Sequence, residues 1–427
     1  MIQLTSMQSG ALPLGSAMQR YRAAMLALAR GATVATAAAL PFSTAATNLF
    51  MLLALIAWLL SGEWRATLGA IAAEPAAWIG CVLCAALLAG VLWSLVPPGR
   101  ALQAVLKYRE FLLFGIVMFL CRDALWRWRV LRTFLASALL LLVVSYLIAF
   151  GLIRPSGNAA MARDNAVFYK NHITHGFIMS LLAYAASLWA LRSHGWRHTL
   201  GWSIAVLAAA NVWLAVQGRT GYLMLAVLLL WLAASQWSRR GLVAGLIGLG
   251  ALVAASLQWA PNFQQRTGKA LDEASDYLRA PSSRHEASET PTGLRLHFWR
   301  RSLDALAQRP LLGAGTGGWG EAFYQATAGD SPALHNREHE HPHSEYLHLA
   351  VQLGPAGLIL LLALFVAAFL RAGRLPPEEA MLARGCVLAF VVGCVFNDFI
   401  WDMTEGHIWA VVVGALFGAS RSDEAAA

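Results

Sequence analysis

Apolar residues run along the chain in long blocks, separated by short polar stretches rich in arginine. A helix that crosses a bilayer needs about 20 mostly apolar residues. By that criterion roughly twelve segments qualify: 22–41, 43–61, 77–96, 103–121, 130–152, 172–191, 199–217, 219–237, 241–259, 345–371, 381–397 and 405–420. Pro41 predicts a hinge between the first two, and Lys107, Arg109 and Glu110 interrupt the fourth. Trp58, Trp93, Trp128, Trp237 and Trp259 flank apolar runs, as side chains of a membrane interface do. Between 260 and 344 the pattern turns hydrophilic. Within that segment Phe298 to Leu306 has helical apolar spacing, and Gly313, Gly315, Gly317 and Gly318 predict a turn.

Composition sharpens this picture. Of 427 residues, 58% are apolar and 13% are charged, too few charges to clothe a soluble exterior. A soluble enzyme and a disordered or fibrous chain are both excluded. The expected fold is an all-α polytopic membrane protein of about twelve transmembrane helices. Its expected parts are a bundle over 1–259, a large extramembrane loop with short helices over 260–344, and C-terminal helices with a tail over 345–427.

The net charge of +9 has two uses in such a protein: setting topology and meeting anionic ligands. No soluble basic domain exists to bind nucleic acid. With an even number of spans both termini share one side. That side collects Arg20, Arg22, Arg65, Arg122, Arg127, Arg129, Arg192, Arg197, Arg239, Arg240, Arg371, Arg374 and Arg421, so it is expected to be cytoplasmic. The outer side is nevertheless not poor in cations: Arg100, Lys107, Arg109, Arg154, Arg163, Lys170 and Arg219 lie in or near its short loops. Contact with lipid phosphates explains any one of them, and a large anionic substrate explains the set. Cys81, Cys84, Cys121, Cys386 and Cys394 all lie in apolar stretches and are expected to pack there.

Four constellations can carry chemistry. Five histidines cluster at His335, His339, His341, His343 and His348. The run His335-Asn336-Arg337-Glu338-His339-Glu340-His341-Pro342-His343 has the spacing to supply zinc ligands, but Arg337 sits inside it and no HExxH helix is present. His343 directly precedes an apolar helix, where a neutral imidazole can take a proton from a sugar hydroxyl. Neighbouring arginines disfavour its protonated form. In Gln217-Gly218-Arg219-Thr220-Gly221 an arginine stands between two spans, and its glycines let backbone N–H groups approach an anion. Arg295 opens a helix in Thr292-Gly293-Leu294-Arg295, with Arg300 and Arg301 behind it. A guanidinium matches phosphate oxygens two at a time. The glycine run after Arg309 lacks the ending of a nucleotide loop. Finally, Asn397-Asp398, Asp402 and Glu405 gather near the outer ends of the last spans, where they are expected to pair with arginines.

The sequence His343-Ser344, nine residues, Gly354, two residues, Gly357 resembles the signature of the bacterial O-antigen ligase family. The Arg219 motif and the run Gly293-Leu294-Arg295 to Trp299 resemble the family's arginines. The resemblance implies a GT-C-like glycosyltransferase of the Gram-negative inner membrane, with its large loop and active site periplasmic. It implies transfer of polysaccharide from an undecaprenyl-diphosphate-linked O-antigen donor to lipid A–core, inverting, with no cofactor and no metal. His343, Arg219 and Arg295 would be catalytic. Lys107, Arg109, Arg163, Lys170, Arg300, Arg301, His341 and Ser344 would bind substrate. An O-antigen polymerase or a protein O-oligosaccharyltransferase would use the same donor. A secondary transporter or lipid flippase would suit twelve spans, but the two halves of the chain look unlike each other.

Overall fold

The computed structural model describes residues 14–154, 166–168, 170–216, 218–236, 239–259, 261–279 and 290–419. Among these residues the chain is helical, with no strand. In order the helices are α1 (Leu14–Ala39), α2 (Thr44–Ser61), α3 (Trp64–Ala73), α4 (Pro75–Gly90), α5 (Pro98–Lys107) and α6 (Glu110–Leu120), then α7 (Ala124–Ala149), α8 (His172–Arg192), α9 (Trp196–Ala210), α10 (Arg219–Gln236) and α11 (Arg239–Trp259). They are followed by α12 (Pro261–Arg279), α13 (Pro291–Gln308), α14 (Trp319–Ala326), α15 (Glu345–Leu353), α16 (Pro355–Ala372), α17 (Pro377–Phe396), α18 (Met403–Ile408) and α19 (Gly414–Phe417).

Eight helices among the described residues are long and apolar enough to cross a membrane: α2, α4, α7, α8, α9, α10, α16 and α17, with α4 and α9 each extended by a short non-α turn. Of the twelve expected spans, 22–41 in α1, 103–121, 241–259 in α11 and 405–420 are not among these eight, and 345–371 is shortened. The expected span 103–121 is not one helix. It breaks at Tyr108 and Arg109 into α5 and α6, because its charges cannot lie in hydrocarbon. The span 345–371 breaks at Gly354, whose φ of +65° stops α15 before α16 begins at Pro355. The stretch 405–420 is a shorter apolar unit, Met403–Phe417, containing a π-helical turn. The hinge expected at Pro41 is present between α1 and α2.

Helix α8 is the hub. Almost all of its length is buried, whereas most of the other spans expose a broad apolar face. It packs on α9, α10, α17 and α7. Its crossing with α10 is set by Gly176 against Gly221. A Cβ on Gly221 would come within 3.3 Å of the Gly176 Cα, and small residues permit such close backbone approach.

The two ends of the bundle differ in chemistry. At one end arginines meet acids: Arg127 with Glu379 at 3.1 Å, Arg371 with Glu74 at 2.9 Å, and Arg192 with Glu378 at 3.4 Å. At the other end the helices of the hydrophilic segment pack down. Phe298, Trp319 and Phe323 form a small aromatic core with Val351 of α15 and Leu95. The expected helix at Phe298–Leu306 lies inside α13, capped by the Thr290 side chain. The glycine turn is present with positive φ at Gly313, Gly315 and Gly317, and it is filled by protein: Gly313 abuts Val351 and Gly315 abuts Ser94. Thr316 Oγ1 donates to the Leu87 carbonyl at 2.6 Å, which ties the turn to α4.

Candidate functional site

The site gathers where α8, α10, α13, α15 and the turn after α17 meet. A π-helical turn at Asn211–Ala215 ends α9 and directs the chain back toward α10. Its cause is a buried polar set: Asn211 Oδ1 contacts His175 Nε2 at 3.0 Å, and Asn211 Nδ2 donates to Ser145 Oγ at 2.9 Å. Arg219 therefore stands at the first position of α10. Gly218 and Gly221 flank it, and both lie close against α8. A Cβ on Gly218 would sit 3.2 Å from His172, and one on Gly221 3.3 Å from the Gly176 Cα.

Arg219 Nη1 donates to Thr292 Oγ1 at 2.6 Å, and its Nη2 lies 3.9 Å from Glu273. Glu273 also accepts from the Thr292 amide at 3.1 Å, so α10, α12 and the start of α13 are joined by this triangle. Arg295 follows one turn into α13. Its charge is disfavoured by burial and then by the neighbouring Arg219 guanidinium. Among the described residues Arg295 has no carboxylate partner. With Glu273 shared by Arg219, the half-buried Arg295 charge is the one left uncompensated, and an anion would relieve it.

His343 is the only described non-glycine residue with positive φ, at +53°. That strained backbone turns the chain from the His-rich run into α15. Its ring stacks on Phe298, with centroids 5.9 Å apart. His343 Nδ1 meets Asn397 Oδ1 at 3.1 Å, while Asn397 Nδ2 donates to Asp402 Oδ2 at 2.6 Å. The carboxylate only accepts, so it sets the amide orientation and turns Oδ1 toward the ring. Nδ1 must then carry the hydrogen, which leaves the lone pair on Nε2. Burial, then His341, and more weakly Arg295 hold the His343 pKa below its ordinary value, so the ring is neutral near pH 7.

Behind it Asp398 is fully buried and accepts from two imidazoles, His341 Nδ1 at 2.8 Å and His348 Nδ1 at 3.0 Å. Burial opposes its charge, but the two histidines overcome this and hold its carboxyl below the usual range. Burial opposes protonation of His341 as well, and Asp398 outweighs it, so the His341 pKa is raised. Of the acids expected to pair with arginines, Asp398 thus pairs with two histidines, Asp402 with Asn397 and Glu405 with Thr174, a correction to the sequence reading. Asp402 is pushed up to about 6, by burial and by the nearby Asp398 charge. Glu345 accepts from the Ile400 and Trp401 amides at 2.9 and 3.1 Å and fastens that turn to α15. Ser344, buried, offers its carbonyl to the His348 amide at 2.8 Å and starts α15.

Ligand-type atoms of His341, His343 and Asp398, and of Glu345, His348 and Asp398, lie within 4.8 Å of one another. The Nδ1 atoms of the three histidines are the ones engaged by Asp398 and Asn397, so the arrangement reads as a hydrogen-bond network. His335 and His339 lie apart from it. The first stacks on Tyr324 at 3.9 Å, and the second packs on Phe298 and Phe323.

The remaining expected residues are dispersed. Lys107 is exposed on α5, with its Nζ 5.1 Å from the Trp401 ring centre. Lys170 donates to Thr404 Oγ1 at 2.9 Å, and burial lowers its pKa to about 8. Arg109 is taken up by Glu110 at 3.3 Å and Asn48 at 3.2 Å. Arg301 is held by Asp330 and by Asp304, and Asp330 also meets His297 at 3.1 Å; these pairs brace α13 within the hydrophilic segment. Arg300 is exposed beside Tyr277. Arg163 lies outside the described residues. His348, a member of the sequence's histidine cluster, belongs to the site, and so do Glu345, Thr292 and Glu273, to which the sequence assigns no role. The spacing His341-x-His343 and then His348, ending in a helical turn, was the signal for the first of these.

No protein of the curated collection matches the chain. Residues 204–362, which hold Arg219, Arg295, His343 and both signature glycines, match the family model described as O-antigen ligase, and this match supports the O-antigen ligase family for the chain.

Proposed function

We propose that the protein is an O-antigen ligase of the Gram-negative inner membrane, acting on the periplasmic face. It moves polysaccharide from undecaprenyl diphosphate to lipid A–core. The observation that carries this reading is the convergence of Arg219, Arg295 and His343 from three separate helical regions. Arg295 lies on α13 between Thr292, which Arg219 contacts, and Phe298, on which His343 stacks. Two neighbouring guanidiniums, one of them without a carboxylate among the described residues, beside a neutral imidazole are the equipment for displacing an anionic leaving group with an alcohol.

In the reaction His343 Nε2 accepts the proton of the acceptor hydroxyl. The oxygen attacks the anomeric carbon from the face opposite the diphosphate, and a new glycosidic bond forms with inversion. The old carbon–oxygen bond breaks, and its electron pair leaves on the diphosphate, where Arg219 and Arg295 neutralise the growing charge. The guanidiniums supply the positive charge this step requires, so no metal is invoked. Thr292 and Glu273 hold Arg219 in place.

The test is reconstitution of the purified protein with lipid-linked polysaccharide and lipid A–core. Arg219→Ala and Arg295→Ala should each lower transfer at least 100-fold, as loss of a single transition-state donor does, roughly 10²–10³-fold, with thermal unfolding unchanged. Transfer at the wild-type rate in either variant removes that arginine from the site, and wild-type turnover by His343→Ala ends the base assignment.

A further inference from the structure

At the end of the bundle opposite the histidines a cavity of about 330 Å³ opens between α3, the start of α4, α6, α16 and the end of α19. Pockets that hold small ligands run from roughly 300 to 1,000 Å³. Most of its lining is apolar, with Ala70 and Ala73 from α3, Met118 from α6 and Phe417 from α19. A Cβ on Gly418 would come within 2.6 Å of the Cys121 carbonyl, so the end of α19 lies against the end of α6. Three charged side chains complete the lining: Glu74, Arg122 and Arg371.

The spans fix the level of this cavity in a bilayer. Glu74 directly precedes the span that begins at Pro75, and Arg371 is one residue from the end of the span that closes at Ala372. Both therefore stand where hydrocarbon gives way to lipid headgroups. Tryptophans mark the same level. Trp64, Trp126 and Trp196 stand near the starts of α3, α7 and α9, each with an arginine over its ring: Arg65 at 4.9 Å, Arg129 at 4.6 Å and Arg197 at 5.6 Å. Indoles gather at that depth, and guanidiniums there meet lipid phosphates.

The charges around the cavity do not balance. Glu74 is buried and lies 2.9 Å from Arg371 Nε, so these two offset each other. Glu378 and Glu379 are taken by Arg192 and Arg127. Arg122 is exposed, and among the described residues it forms no ion pair. Its guanidinium rests 5.2 Å from the centre of the Phe119 ring. Two residues away Arg30 donates to the Leu120 carbonyl at 3.1 Å, and it too has no carboxylate partner among the described residues. Guanidiniums without counter-ions at the rim of an apolar hollow suit an amphiphile with an anionic head.

We propose that this cavity binds an anionic membrane phospholipid: Arg122 takes the phosphodiester with Arg371 beside it, and the apolar lining takes the glycerol and the first acyl carbons. A lipid seated there touches α3, α6, α16 and α19 at once and ties the last helix to the bundle. The reacting centre lies at the other end, so this occupancy does not depend on the transfer reaction.

The experiment titrates the full chain in a neutral detergent and follows the midpoint of thermal unfolding, which rises with any ligand that binds only the folded protein. The probes are dihexanoyl phosphatidylglycerol, dihexanoyl phosphatidylcholine and inorganic phosphate. Phosphatidylglycerol should bind about tenfold more tightly than phosphatidylcholine, whose choline cation faces arginines. Arg122→Gln should weaken phosphatidylglycerol about tenfold, the effect of one lost charge-assisted hydrogen bond. Ala73→Trp, which fills the cavity from α3, should weaken it at least as much. Without lipid both variants should unfold at the wild-type midpoint. Arg65→Gln, at the same end but outside the cavity, should bind as the wild type does. Wild-type affinity in Arg122→Gln and Ala73→Trp overturns the site, and equal weakening by Arg65→Gln and Arg122→Gln replaces it with diffuse attraction. Inorganic phosphate as effective as phosphatidylglycerol overturns the lipid. A preference for phosphatidylglycerol that appears only in the double variant Asp423→Asn, Glu424→Gln gives the cavity to the chain's own carboxylates, and the proposal falls.

Discussion

At the scale of single residues, the chemistry turns on how one imidazole is held. Asp402 orients Asn397, Asn397 fixes the hydrogen on His343 Nδ1, and Nε2 is left basic. Burial and the His341 and Arg295 charges lower the pKa of that ring. A base works in its unprotonated form, so activity is lost as pH falls through the folded pKa. The acid limb of the kcat/KM profile should therefore lie below the ordinary histidine value of about 6.5. A limb above that value would mean that His341, raised by Asp398, is the group being titrated. His343 and its two arginines were legible in the sequence because each departs from its local surroundings: a histidine before an apolar helix, and arginines where hydrocarbon or a helix start is expected. The partners of Asp398 were not legible. A carboxylate among many cations gives no indication along the chain of whether arginine or histidine will reach it, and the two imidazoles that do come from 50 and 57 positions away.

At the scale of elements, glycine decides where helices stop and how closely they cross. Gly354 has a φ of +65°, and a Cβ there would run into the Leu311 carbonyl. Gly354→Ala pays for both the left-handed backbone and the clash. It should destabilise the protein by about 2–6 kcal/mol, combining roughly 1–3 for the conformation with 1–3 for overpacking. The midpoint of thermal unfolding in detergent is the measurement, and an unchanged midpoint would show that the break between α15 and α16 is not set by this residue. Hydropathy alone reads 345–371 as a single span, since glycine and proline there are only two residues in a long apolar run. The break is nevertheless what lets α15 lie with Glu345, His348 and Gln352 in the polar network. The same reasoning accounts for α5 and α6: charge predicted an interruption near Lys107, and the structure converts it into the amphipathic helix α5.

At the scale of the whole molecule, the two ends of the bundle are built on different rules. One end closes with arginine–carboxylate pairs, the deepest being Arg127 with Glu379, which joins positions 252 apart. Arg127 Nη1 also donates to the Cys121 and Arg122 carbonyls. Arg127→Ala strands a buried carboxylate and should cost about 3–5 kcal/mol. The double variant Arg127→Met, Glu379→Leu should recover much of that loss, as read by thermal unfolding of both proteins. Equal stabilities of the single and double variants would mean that the acid is not left uncompensated. The other end has such pairs too, at Arg219, Arg301 and Arg337, but among the described residues it leaves Arg295 without a carboxylate, and there the proposed donor diphosphate brings the missing negative charge.

By itself the sequence determined the helical membrane class, the separation of a hydrophilic segment before α15, and the motif that joins His343 to Gly354 and Gly357. These are local properties, since hydropathy, helical period and spacing are read from neighbours along the chain. Only the tertiary structure decided which arginine meets which histidine, which cations are already paired, and where a cavity remains open. Those outcomes depend on contacts between distant residues, and the energy of burying or pairing a charge is defined only once the surrounding helices have packed.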